Sequence, residues 1–246
     1  METLTQQTLI AFGIFLFGTL IGSFLNVVIY RVPKGESIAF PASKCQSCST
    51  PLRYYHNIPI YSWLFLRGKC GFCKEKISIQ YPLVEMFVGI LFVLLYMKLG
   101  LVWYLPFVAF SFSALFALSV IDVKYMAVPD SINFTALGFA LITDTFVENS
   151  IYALIAGAGL YLISFITAEI FRKDTWGGAD VIVAGTMGAL LGLQNFLIAM
   201  FLSAVLSLFP SLMQKGKPLP FVPFLSVATF IVYMCPKEII YSIFTF

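Results

Sequence analysis

Charge is what this sequence holds least of: Asp, Glu, Lys and Arg make up 11% of its 246 residues. A soluble domain carries roughly a quarter, because it must cover itself with polar side chains. An ordinary soluble globule is therefore excluded. The N-terminus, Met1-Glu2-Thr3, lacks the basic segment of a secretory signal, and no small-x-small cleavage site follows the first apolar run. That run is expected to stay as a membrane span. Internal repeats and low-complexity stretches are also missing.

What remains is apolar. The mean hydropathy is +0.92, 60% of residues are hydrophobic, and 26 are Phe. Apolar runs recur along the chain, and about 20 residues cross the hydrocarbon as a helix. The expectation is an all-α integral membrane protein with about eight transmembrane helices, near 8–30, 83–97, 101–121, 131–147, 151–171, 180–194, 196–213 and 221–235. Three regions follow: a first helix (1–30), a polar loop domain (31–82) and a transmembrane core (83–246).

Orientation comes from the basic residues. Arg31, Lys34, Lys44, Arg53, Arg67, Lys69, Lys74 and Lys76 lie in the polar loop. Lys124, Arg172, Lys173, Lys215 and Lys217 fall on the same face of an eight-span layout, and only Lys98 and Lys237 on the other. Basic residues stay inside, so the loop is expected in the cytoplasm. The net charge of +3 reflects this topology and not nucleic-acid binding.

The loop also holds Cys45-Gln46-Ser47-Cys48 and Cys70-Gly71-Phe72-Cys73. Two C-x2-C pairs in one short segment can surround a tetrahedral Zn2+. A cytoplasmic loop is kept reduced, which disfavours disulfides. Four protein ligands leave no open position for chemistry, so the zinc is read as structural. Cys235, in the last span, reads as a small buried hydrophobe. The single histidine, His56, reads as packed or exposed rather than as a further ligand.

Carboxylates at the ends of apolar runs are costly in lipid and point to function. Asp122 ends the third run in Val120-Ile121-Asp122-Val123-Lys124, and Asp180 opens the sixth in Gly177-Gly178-Ala179-Asp180. The alternating spans bring both to the cytoplasmic side. Two carboxylates sharing a site hold one proton between them. One can then activate water while the other polarises a scissile carbonyl. Asp122 closes a helix, where the dipole disfavours an anion, and Asp180 opens one, where it is favoured. On that argument Asp122 carries the proton and Asp180 activates the water. Asp130, after Pro129, reads as an N-cap. Glu169 reads as paired with Arg172 or Lys173, Asp144 and Glu148 as solvated, and Glu85 as undecided between structure and function.

These residues resemble the type IV prepilin peptidases in order along the chain. The resemblance rests on Gly22-Ser23-Phe24-Leu25-Asn26 through Arg31-Val32-Pro33, the tetracysteine loop, and His56-Asn57-Ile58-Pro59. It continues in Tyr81-Pro82-Leu83-Val84-Glu85, Ile121-Asp122 with Val128-Pro129-Asp130, and Gly177-Gly178-Ala179-Asp180, where Ala179 replaces the second glycine of the family's GxGD. It closes on Pro220-Phe221-Val222-Pro223. The resemblance implies that Asp122 and Asp180 are catalytic. It implies prepilin or pseudopilin substrates with a basic leader and a hydrophobic helix, cut at the junction, at the bacterial inner membrane. It further implies N-methylation of the new amine by S-adenosylmethionine, with Gly68 as a candidate residue for that step. The rivals are a related GxGD peptidase acting on other single-span substrates, a proton-coupled transporter, and a non-catalytic assembly factor with a zinc loop.

Overall fold

The computed structural model describes residues 2–171, 177–214 and 219–235. Among them the chain is helical, with isolated bridges but no strand. It forms two compact units, Met1–Val102 and Trp103–Phe246.

The first unit is a helix pair with the polar loop between. Helix α1 (Glu2–Arg31) packs along α3 (Gln80–Leu99), and the loop carries a short α-helix, α2 (Tyr61–Phe65), besides 3-10 turns at Val32–Lys34 and Tyr54–Asn57. Apolar helices gain nothing from hydrophobic contact inside lipid, so they associate through small residues that let backbones approach. That is the arrangement here. A Cβ on Gly18 would lie 2.9 Å from Gly89 Cα, and one on Gly22 would lie 2.7 Å from Glu85 Cα. Above these contacts Asn26 donates to the Tyr81 carbonyl at 3.1 Å and fixes the start of α3 to α1. Arg31 then donates to the carbonyls of Ser37 and Pro41, shaping the first turn of the loop.

The second unit contains α4 (Leu105–Tyr125), α5 (Asp130–Leu141), α6 (Phe146–Phe171), α7 (Gly178–Gln214) and α8 (Val222–Met234). Helix α4 packs on α5 and α8, and α7 packs on α5, α6 and α8. The α6–α7 seam is again small: a Cβ on Gly188 would meet Ala156 Cβ and the Tyr152 carbonyl at 2.6 Å. Buried hydroxyls add cross-links. Ser111 on α4 donates to the Ala136 carbonyl of α5, and Ser226 on α8 to the Leu115 carbonyl of α4.

Among the described residues, five helices are long and apolar enough to cross a membrane: Thr5–Lys34, Gln80–Leu99, Leu105–Tyr125, Phe146–Ile170 and Gly178–Met213. Their outward faces carry bulky apolar side chains, among them Phe12, Phe24, Leu154, Phe165, Phe201 and Phe209. Water does not tolerate such continuous apolar surface, and the protein is a multi-pass membrane protein. Each of the eight expected apolar runs falls largely on a helix, though not one apiece. The fourth is shorter than its apolar run: α5 ends at Leu141, and residues 142–145 turn before α6. The sixth and seventh runs form α7, whose helical geometry breaks at Gly192 (φ 73, ψ 167). Only glycine occupies that backbone region without strain.

The glycine seam of the first unit sets an expected outcome. Gly22→Val forces a side chain against α3 backbone and should lower stability by about 1–3 kcal/mol, as overpacking does. Gly13, with nothing near its Cβ position, should accept the same change. Thermal unfolding of both variants in detergent checks the contrast.

Candidate active site and metal centre

The four loop cysteines come together because each pair sits in the same kind of hairpin. The Cys45 amide donates to the Thr50 carbonyl and Ser49 donates back to Cys45. The Cys70 amide donates to Glu75 and Lys74 donates back to Cys70 in the same pattern. Ser49 (φ 55) and Lys74 (φ 61) take the left-handed turn position in each. Leu52 to Ser43 and Ile77 to Gly68 close the two hairpins at matching places.

The resulting donor set fits zinc. Tetrahedral thiolate ligands at about 2.3 Å place sulfurs roughly 3.8 Å apart. The Cys45 and Cys73 sulfurs are 3.8 Å apart, and all four lie within 4.8 Å of one another. The thiols are not equivalent. The Thr50 hydroxyl, 3.2 Å away, and its backbone bring Cys48 down to about 6. Backbone N–H groups of Phe72 and Cys73 lower Cys70. The Glu75 amide favours the Cys73 thiolate, yet desolvation and the neighbouring sulfurs push that thiol up to about 11. Four clustered thiolates repel one another, and a divalent cation relieves that repulsion.

Around the cluster the expectations divide. His56 is packed, its ring 4.4 Å from that of Tyr55 and 5.2 Å from that of Phe72, and the four-sulfur group does not include it. Gly71 leaves it room: a Cβ there would meet His56 Nε2 at 3.2 Å. Gly68 has φ +67, and a Cβ on it would meet the Trp63 ring at 2.8 Å. Glycine is thus required there by backbone and packing, and no cradle for S-adenosylmethionine is assigned among the described residues. Glu85 proves to be a tether, accepting the Ile60 amide at 2.7 Å while only 7% exposed. Cys235 is half-buried just past the end of α8.

In the second unit Asp122 lies in the last turn of α4 and Asp180 is the third residue of α7. Asp122 is buried. Its carbonyl accepts the Met126 amide, which ends α4 in a left-handed residue. Its carboxylate accepts the Val222 amide at 3.1 Å, the first residue of α8. Asp180 accepts the Gly177 amide at 3.2 Å while its own amide donates to the Gly177 carbonyl. This is the N3-to-N-cap half of a capping box, with an aspartate in place of the usual glutamate and no side chain on Gly177 to supply the other half. Helices α4 and α7 both pack on α5 and α8, which places the two carboxylates in one unit.

Two expectations change here. The dipole argument that singled out Asp122 as the protonated member does not hold. The amino end of α8 presents its amide to Asp122 against the carbonyl end of α4, so two opposed helix ends meet there and the α4 dipole alone no longer assigns the proton. Asp130 is not an N-cap: Pro129 occupies that position and Asp130 is the first residue of α5. The expected partners of Glu169, Arg172 and Lys173, lie outside the described residues. Asp144 does not stand only in solvent, since Trp103 donates its indole N–H to it.

One residue escaped notice in the sequence. Asn133, fully buried on α5, donates to the Ala179 carbonyl at 2.9 Å, next to Asp180. An asparagine within an apolar run was the available signal. The Val222 amide had none, since a backbone donor leaves no mark on the residue type.

Fold and site together define an all-α, multi-pass membrane protein with a tetracysteine loop. Residues 16–99 match the bacterial peptidase A24 N-terminal domain, and residues 109–212 match the type IV leader peptidase family. The prepilin leader peptidase/N-methyltransferase of Neisseria gonorrhoeae is 32% identical, over 88% of this chain and 87% of the relative. Its namesakes from Stutzerimonas stutzeri (31%, over 93% and 92%) and Dichelobacter nodosus (30%, over 96% and 95%) are similar along nearly their whole length. No solved structure matches. The chain belongs to the type IV leader peptidase family.

The metal centre has a direct test. One zinc per chain is expected by elemental analysis, with Cys45→Ser/Cys48→Ser releasing it. Acidification should also release it, because protons compete with the metal for thiolates.

Proposed function

We propose that this protein cleaves the leader of type IV prepilins or pseudopilins with Asp122 and Asp180, at the cytoplasmic face of the bacterial inner membrane. The observation that carries the reading is a pair of carboxylates in one helical unit, each accepting a backbone amide at the start of a helix. Such a pair shares a proton. The ionised member takes a proton from water as it attacks the scissile carbonyl, and the protonated member donates a hydrogen bond to the carbonyl oxygen. Proton transfer to the leaving amine completes hydrolysis. Titration belongs to the pair, so the two roles are not divided between named residues.

Backbone donors keep the carboxylates in place. Val222 holds Asp122, Gly177 holds Asp180, and Asn133 fixes the peptide that leads into Asp180. Gly178 has open space around its Cβ position, which leaves room for a substrate backbone. A substrate with a basic leader and a hydrophobic helix would present the junction between them at the membrane surface. The excess of Lys and Arg in the loop supports a cytoplasmic loop.

We also assign the protein N-methylation of the newly exposed amine, in line with the names of its relatives. S-adenosylmethionine supplies the methyl group in that chemistry. Gly68 contributes indirectly on this reading, by letting the second hairpin close beneath Trp63. The zinc is structural, holding the two hairpins together.

Asp122→Asn and Asp180→Asn should each abolish cleavage of a prepilin by purified, folded enzyme, read as the mass of the pilin N-terminus. Near-normal turnover by either removes the dyad. Asn133→Ala should cost about 1 kcal/mol of positioning, roughly fivefold in kcat with KM little changed. Steady-state kinetics on the same substrate decide it.

A further inference from the structure

Helix α2 is built inside out for a segment in water. Tyr61, Leu64 and Phe65 form one face and are 61%, 61% and 74% exposed, while Ser62 is 6% exposed. The Ser62 hydroxyl donates inward to the Tyr55 carbonyl at 2.6 Å. Trp63 turns against Gly68 and donates to the Ile77 carbonyl. The rings of Tyr61 and Phe65 stack with centroids 6.0 Å apart, so the outward face is one apolar patch.

The level of this patch relative to the membrane follows from Glu85. Helix α3 begins at Gln80 and is 20 residues long, about 30 Å, which is one hydrocarbon thickness. Glu85 is therefore about 7.5 Å inside the start of a spanning helix. Its carboxylate holds the Ile60 amide, the residue just before α2, at 2.7 Å. Ile60 itself has φ 62, an unfavourable backbone for a β-branched residue. The tether thus outweighs local strain and keeps α2 beside the membrane-spanning part of α3. Just past α2, exposed Arg67 and Lys69 supply the positive charge that anionic headgroups attract.

We infer that the Tyr61–Leu64–Phe65 face of α2 inserts into the lipid interface beside α3, anchoring the cysteine loop to the bilayer. A helix of five residues does not hold together alone. The tether, the Trp63 contact and the lipid keep it formed, and the loop becomes a membrane-bound surface. Apolar side chains at headgroup depth with basic residues beside them are how interfacial segments bind.

The full chain carrying Phe65→Trp, reconstituted in vesicles of phosphatidylcholine and phosphatidylglycerol, tests this. The emission added over the unsubstituted chain should be lost when the acyl chains are brominated close to the headgroup. It should also resist quenching by aqueous acrylamide. Tyr61→Trp reads the same face should the first variant insert poorly. Emission quenched by acrylamide and untouched by bromine overturns the inference. So does a face that acrylamide reaches until added prepilin shields it, since that face would belong to the substrate.

Discussion

Hydrocarbon offers no hydrogen bonds, so each polar group that this apolar chain carries inward must find its partner within the protein. Asp122 shows the consequence most sharply. Its carboxylate sits at the end of α4, whose last carbonyls repel an anion, and it receives the Val222 amide from a helix 100 residues further on. The donor exists because Val222 starts α8, and the first amides of a helix have no partner of their own. Packing of α8 on α4 and polarity of the carboxylate are therefore one requirement. Asp180 meets the same requirement locally, by turning back on Gly177.

The same constraint explains how the helices hold together. With lipid as apolar as leucine, close backbone approach and a few polar bonds do the joining. Gly18, Gly22 and Gly89 give that approach in the first unit, and Gly188 with Ala156 gives it in the second. Asn26, Ser111, Asn133 and Ser226 each bond a carbonyl of another helix or of the segment leading into one. Their removal would take one polar cross-link from each seam. Asn26 and Asn133 keep a buried side-chain oxygen without a partner, a cost set against the position each fixes.

The cysteine loop obeys a different rule, since it cannot draw on a large apolar core. Two hairpins of matching hydrogen bonds aim four sulfurs at one point, a donor set that fits a divalent cation. Arg31, Glu85 and Trp63 tie the loop to its flanking helices and to itself. These tethers matter because a long polar connection otherwise loses its shape to chain entropy.

Composition alone determined that the chain lives in a membrane, and spacing alone marked the four cysteines that converge. Low charge has no other physical solution, and paired C-x2-C segments put their ligands within reach whatever the rest does. Asp122 and Asp180 stood out as candidates for a similar reason: a carboxylate at the edge of an apolar run is costly in lipid. Tertiary structure decided what surrounds them. That Asp122 meets a helix N-terminus, that Asn133 supports Ala179, and that Glu85 tethers Ile60 all depend on contacts distant in sequence, some through backbone amides that every residue type carries. The short α5 was likewise hidden, because apolar content tells how much chain prefers lipid and not where its hydrogen-bond ladder stops; the break at Gly192 lies close to the expected boundary between the sixth and seventh runs.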